Sequence, residues 1–232
     1  MLSKNLKLKK KVAILVGHSL VSQGAVNYDG ITEFTFNCGV ASLLKIELDK
    51  FEGIDANIFV RKDGSWSQDS SGLENYNPSI CIELHFNSAS VKAQGCEAIV
   101  WKNSPNYLLN VKFADIITDY IAKEYQIKQR NVIQLDQNSQ VDGVLIRSEG
   151  RGVNNLKNVF KHESVEIATI IEPCFGNYKT RESEEIFLDP KRYANTLASA
   201  IAVGFLDRNR IVSHYLRQDH SDGSIQFRPT YL

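Results

Sequence analysis

"VAILVGHSL", residues 12–20, runs five apolar residues into a glycine and then a histidine. A short, continuous apolar run bounded by glycine is the pattern of a strand buried on both faces of a sheet. Immediately downstream the period changes. Phe36, Val40, Leu43, Leu44, Leu48 and Phe51 recur at three- and four-residue steps, which predicts an amphipathic helix between Thr32 and Phe51. A buried strand feeding a helix is the opening of an α/β fold.

The rest of the chain repeats the alternation. "ANIFVRK" (56–62) reads as a second strand, and the polar segment 63–79 as a loop with a helical turn around Leu73 to Tyr76. "ICIELHF" (80–86) and "CEAIVW" (96–101) are strands joined by a loop containing Gly95. Residues 106–125 have the helical period with Pro105 at their start, and "NVIQLD" (131–136) reads as a strand. Residues 150–160 pass from loop into a short helix. "VEIATIIEPCF" (165–175) is apolar and β-branched enough for a central strand, and residues 189–208 form a closing helix with Pro190 in its first turn. The expectation is a single α/β domain over residues 11–209, a mostly parallel twisted sheet with helices on both faces. A basic tail (1–10) precedes it, and a polar extension (210–232) too short for an independent module follows.

Composition narrows the function. Of 232 residues 43% are hydrophobic and 23% charged, an ordinary globular balance. Lysine and arginine (27) cancel aspartate and glutamate (27), which argues against a nucleic-acid binder. The local exception, "SKNLKLKKK", reads as a solvated tail or a weak grip on an anionic polymer. Cys38, Cys81, Cys96 and Cys174 form no C-x-x-C pair, so free buried thiols and synthesis in a reducing cytoplasm are expected. No signal-peptide core and no apolar run of about 20 residues is present, so neither export by a leader nor membrane insertion is expected.

Ligands of open α/β sheets gather beyond the carboxyl ends of the strands. His18 lies just past the first strand, His85 ends "ICIELHF" with Glu83 two positions earlier, and Glu172 ends "IATIIEPCF" before Pro173. Glu33 opens the first helix, close enough in sequence to fold back on His18. Singly, each has an ordinary explanation: a hydrogen-bonded histidine, a carboxylate favourable at a helix start. Glu172 inside an apolar strand is harder to place, because an unpaired buried carboxylate costs several kcal/mol. Two imidazoles and two carboxylates at one sheet edge suggest zinc with an open coordination position and a carboxylate base beside it.

At these residues the chain resembles the zinc-dependent N-acetylmuramoyl-L-alanine amidases of the amidase-3 type, particularly bacteriophage endolysins. "VAILVGHS" with "QGA", "GITEFTFN", "CIELHFNS", "QGCEAIVW" and "ATIIEPCFGN" occur in the family's order across roughly residues 11–206. The resemblance implies one Zn²⁺ per chain on His18, Glu33 and His85, with Glu172 as the catalytic carboxylate. Asn87 is expected near the site as a substrate contact or a turn-capping amide; Arg151, in "EGRGVNNL", as a substrate contact or a solvated loop residue. Cys174 departs from the family and reads as an inert buried thiol; Gly17 is expected to give the turn that aims His18.

The implied reaction is hydrolysis of the amide between N-acetylmuramic acid and L-alanine in peptidoglycan. The implied setting is phage lysis, with the enzyme made in the cytoplasm and acting on the wall after release. Two rivals stay open here: a zinc peptidase or carboxypeptidase acting on stem peptides, and a non-catalytic wall-binding protein on the same fold.

Overall fold

The computed structural model describes residues 9–62, 71–130, 141–150 and 152–206. The expected strand at 131–136, the terminal extension and nearly all of the basic tail lie outside them. In chain order the elements are β1 (Lys10–Ser19), α1 (Glu33–Leu48), β2 (Ile54–Arg61), α2 (Ser71–Tyr76), β3 (Ile80–Leu84) and β4 (Glu97–Trp101). They continue as α3 (Tyr107–Tyr125), β5 (Val144–Arg147), α4 (Val153–Val159), β6 (Ile167–Glu172), α5 (Arg181–Leu188) and α6 (Pro190–Leu206). The sheet runs β2-β1-β3-β6-β4-β5. β2, β1, β3 and β6 are mutually parallel; β4 runs antiparallel to β6, and β5 parallel to β4.

The apolar run of β1 divides by period two, as a strand must. Val12, Ile14 and Val16 join Ile80, Ile82, Leu84 and Ile171 under α1, α3 and α6, which contribute Val40 and Leu44, Phe113 and Ile117, and Leu197 and Ile201. Ala13 and Leu15 face the other way, with Cys81, Ala168, Ile170 and Ile99, beneath Leu73 of α2 and Val153, Leu156 and Val159 of α4. Helices therefore cover both faces of a mostly parallel sheet, as expected. Each fully buried Leu, Ile or Val contributes about 1.5–3 kcal/mol of transfer free energy, so β1 anchors both halves of the core.

Two elements were not foreseen. β5 is four residues long, too short to show a period, and half of α5 ("RESEEIFL") is charged, so only its capping box between Thr180 and Ser183 marks its start. The reversal of β4 also has a sequence cause. Parallel neighbours need a crossover, usually a helix, and residues 85–96 contain none. The reversal brings Glu97, the first residue of β4, to the edge where β1, β3 and β6 end. Among the described residues no helix is long and apolar enough to cross a membrane.

Candidate active site

The first imidazole is held by an uncommon backbone. His18 has φ 65°, the left-handed region, which costs a side-chain-bearing residue about 1–2 kcal/mol. The expected turn at Gly17 is thus made by His18 itself. Gly17 serves clearance: a Cβ there would stand 2.4 Å from the Leu84 carbonyl oxygen and 2.6 Å from the His85 ring. Gly24, at φ 77°, does the same for His18, whose Cδ2 a Cβ would meet at 2.4 Å. Two glycines on two segments hollow out room for two imidazoles.

Glu33 joins those rings. It is the first residue of α1, behind the N-cap Thr32, whose hydroxyl accepts from the Thr35 amide. The residue is 3% exposed. One oxygen, Oε1, lies 2.7 Å from His85 Nδ1 and accepts from the Phe86 amide at 3.1 Å. The other, Oε2, lies 3.1 Å from His18 Nε2 and accepts from the Ala25 amide at 3.1 Å. Burial pushes the Glu33 carboxyl up, but the two imidazoles outweigh it and hold the group well below its usual range. Burial likewise pushes His85 down, and the carboxylates of Glu33 and Glu83 reverse that and raise it.

The set has the composition and spacing of a metal site. His18, Glu33 and His85 each offer a ligand atom, all within 4.8 Å of one another. Donors on a tetrahedral zinc with bonds near 2.1 Å stand about 3.4 Å apart, so small adjustments would bring these to coordination distance. The ring centroids are 5.0 Å apart at 69°, edge to face. The residues fit zinc: imidazole and carboxylate donors, from three separate segments, in a hollow kept open by glycine.

Glu172 closes β6 beside this set. The His85 amide donates to the Ile171 carbonyl at 3.0 Å, which continues the β3–β6 ladder to the level of Glu172. On the other flank Glu97 pairs in register with Glu172, so the two carboxylates share a face of the sheet. Glu97 is 1% exposed and held by Arg130 Nη1 at 2.7 Å and Asn87 Nδ2 at 2.6 Å. The Arg130 guanidinium also lies over the Phe175 ring, 4.8 Å from its centroid. Asn87 accepts from the Ser88 amide, and its backbone bridges to Phe175, fastening the segment after β3 to the segment after β6. Phe86, Phe36 and Phe187 form an edge-to-face group beneath.

The four expected chemical residues therefore lie at one edge of the sheet, with Asn87 next to them; Arg151 lies outside the described residues. Cys174 is buried and its thiol is pushed well above its ordinary value, so it holds no thiolate at neutral pH. Glu97, Glu83 and Arg130 have no role assigned from the sequence. For the two glutamates the signal was a carboxylate inside an apolar strand, the same one that flagged Glu172; Arg130, outside the strands, carried none.

Comparison with known proteins agrees with this geometry. The family model described as N-acetylmuramoyl-L-alanine amidase matches residues 12–207. No curated protein matches the chain in a sequence search. Among solved structures, the catalytic domain of CwlV, an N-acetylmuramoyl-L-alanine amidase from Bacillus (Paenibacillus) polymyxa var. colistinus, is 19% identical. It aligns with a TM-score of 0.61 over 87% of this chain and 99% of that one. An N-acetylmuramoyl-L-alanine amidase from Clostridium difficile 630 is 18% identical, with a TM-score of 0.62 over 91% and 99%. The catalytic domain of the CD27L endolysin, which targets Clostridia difficile, is 19% identical, with a TM-score of 0.56 over 85% and 97%. With the family model taking in all six strands, β1 from Val12 onward, and every residue of the His-Glu-His set, the chain belongs to the N-acetylmuramoyl-L-alanine amidase family.

Proposed function

We propose that this chain is a zinc-dependent hydrolase that cleaves the amide between N-acetylmuramic acid and L-alanine in peptidoglycan. The observation that carries the reading is the buried Glu33 carboxylate bridging His18 and His85 in a hollow kept open by Gly17 and Gly24. His18, Glu33 and His85 would hold one zinc per chain, and Glu172 is the catalytic carboxylate. A zinc held by two neutral imidazoles and one carboxylate keeps a net positive charge, which acidifies water and polarises a carbonyl. Glu172 accepts at its carboxylate the proton of the water that attacks the lactyl carbonyl. It then returns that proton to the departing amine of L-alanine, a role worth about 10²–10⁴ in rate. In this reading Asn87 and Arg151 contact substrate, Asn87 from beside Glu97.

The setting proposed is phage-driven lysis of a bacterial host: synthesis in the cytoplasm, then access to the wall after release. The likeness of the motifs to endolysins and of the fold to an endolysin catalytic domain supports it. Mass spectrometry of digested, purified peptidoglycan tests the reaction. Intact stem peptides with a new N-terminal L-alanine, lost on chelation and regained with zinc, are expected. Cuts inside the stem would make the chain a peptidase, and sacculus binding without any cut would make it a binding protein.

A further inference from the structure

Glu83 is a buried carboxylate that the reaction above does not use. It stands two residues before His85 on β3, 1% exposed, where an unpaired charge would cost several kcal/mol. Its Oε1 accepts from Asn155 Nδ2 of α4 at 2.9 Å and lies 3.5 Å from Arg61 Nη2 at the end of β2. Two neighbouring elements, α4 and β2, thus hold one oxygen of this β3 side chain, and that oxygen is 3.2 Å from His85 Nε2.

The two nitrogens of His85 face opposite ways. Nδ1 is turned to Glu33, and Nε2 to Glu83. A neutral imidazole has one lone pair, so offering Nδ1 to a metal requires the proton to sit on Nε2. That nitrogen is buried with no well-formed hydrogen bond, and Glu83 Oε1 is the carboxylate oxygen beside it, 3.2 Å away. Metal-ligating histidines characteristically give their second N–H to a carboxylate or carbonyl, which fixes tautomer and ring orientation.

We propose that Glu83 is a positioning residue for the metal ligand His85: held by Asn155 and Arg61, it accepts a hydrogen bond from Nε2–H, keeps the proton on that nitrogen and so presents the Nδ1 lone pair to the zinc site. The inference rests on the zinc reading above. Glu83 touches neither substrate nor the reacting atoms and acts only through the ring.

The test uses zinc(II), read by competition with a fluorescent chelator, and ¹⁵N correlation spectra of His85 in the zinc-loaded protein. Wild type is expected to carry the His85 proton on Nε2, in slow exchange with solvent. Glu83→Gln keeps the shape and is expected to fold; it should weaken zinc binding about 10-fold and speed exchange of that proton. In a His85→Ala background the same substitution should leave the residual zinc affinity unchanged. A zinc-loaded wild type with the His85 proton on Nδ1 overturns the inference, as does a Glu83→Gln protein with undiminished zinc affinity. Failure of the parent reading looks different: wild type would then take up no zinc, or His85→Ala would bind it as tightly as wild type.

Discussion

Glu97 of β4 stands directly opposite Glu172 of β6, and only the reversal of β4 in an otherwise parallel run makes this possible. Two carboxylates side by side at a sheet edge repel, and here Arg130 and Asn87 hold the inner one in place. Arg130→Ala should therefore lose about 1–3 kcal/mol of stability, since it leaves a buried carboxylate one partner short. It should also lower kcat with zinc retained, because the charge beside Glu172 goes unbalanced. Thermal melts and steady-state rates on purified peptidoglycan check both.

Glu172→Gln separates metal from chemistry. The substitution removes a proton acceptor and leaves His18, Glu33 and His85 untouched, so turnover should fall about 10²–10⁴-fold at unchanged zinc stoichiometry. His18→Ala should instead lose zinc and turnover together. Elemental analysis beside the rate assay distinguishes the two patterns.

Gly24→Ala tests the hollow. At φ 77° a side chain is strained, and its Cβ would press on the His18 ring at 2.4 Å. A loss of about 1 kcal/mol or more of stability and a clear fall in zinc affinity are expected, the second through displacement of His18. Chelator competition and a melt on the same variant read both effects.

Asp115, on α3 and away from the site, gives a pH dependence that does not involve metal. Burial and the neighbouring Asp119 raise its carboxyl from 3.8 to about 6, against the opposing pull of Gln129 and Lys112. The folded protein holds this proton more tightly than the unfolded chain, so the stability it confers is full below the ordinary value. That stability is lost as pH rises through about 6. Asp115→Asn should then stabilise the protein by about 1–2 kcal/mol at pH 7, allowing for partial solvent screening, with little effect near pH 4. Urea titrations at the two pH values measure the difference.

Much of this architecture could be read from residue order. The apolar run of β1 ending in Gly17-His18, the helix opened by Glu33 and the carboxylate closing β6 each carried a local signal: period, cap position, or charge inside an apolar strand. The pairing of Glu97 with Glu172 carried none, since strand direction is settled by connection and packing across the sheet. Gly17 was expected to bend the chain, yet His18 adopts the left-handed backbone and Gly17 makes space for a ring from another strand. A glycine's letter does not say whether it serves a dihedral angle or a neighbour. Glu83 was visible two places before His85, but which ring nitrogen it faces is a matter of side-chain geometry that residue order does not carry.

The proposed chemistry requires His18, Glu33 and His85 to close around one zinc ion. Anomalous diffraction at the zinc edge, from crystals grown with zinc, tests it most directly. A single strong peak is expected about 2.0–2.1 Å from both His18 Nε2 and His85 Nδ1, with a Glu33 oxygen as the third protein ligand. Imidazoles that point apart with no peak between them, or zinc bound elsewhere on the chain, would contradict it.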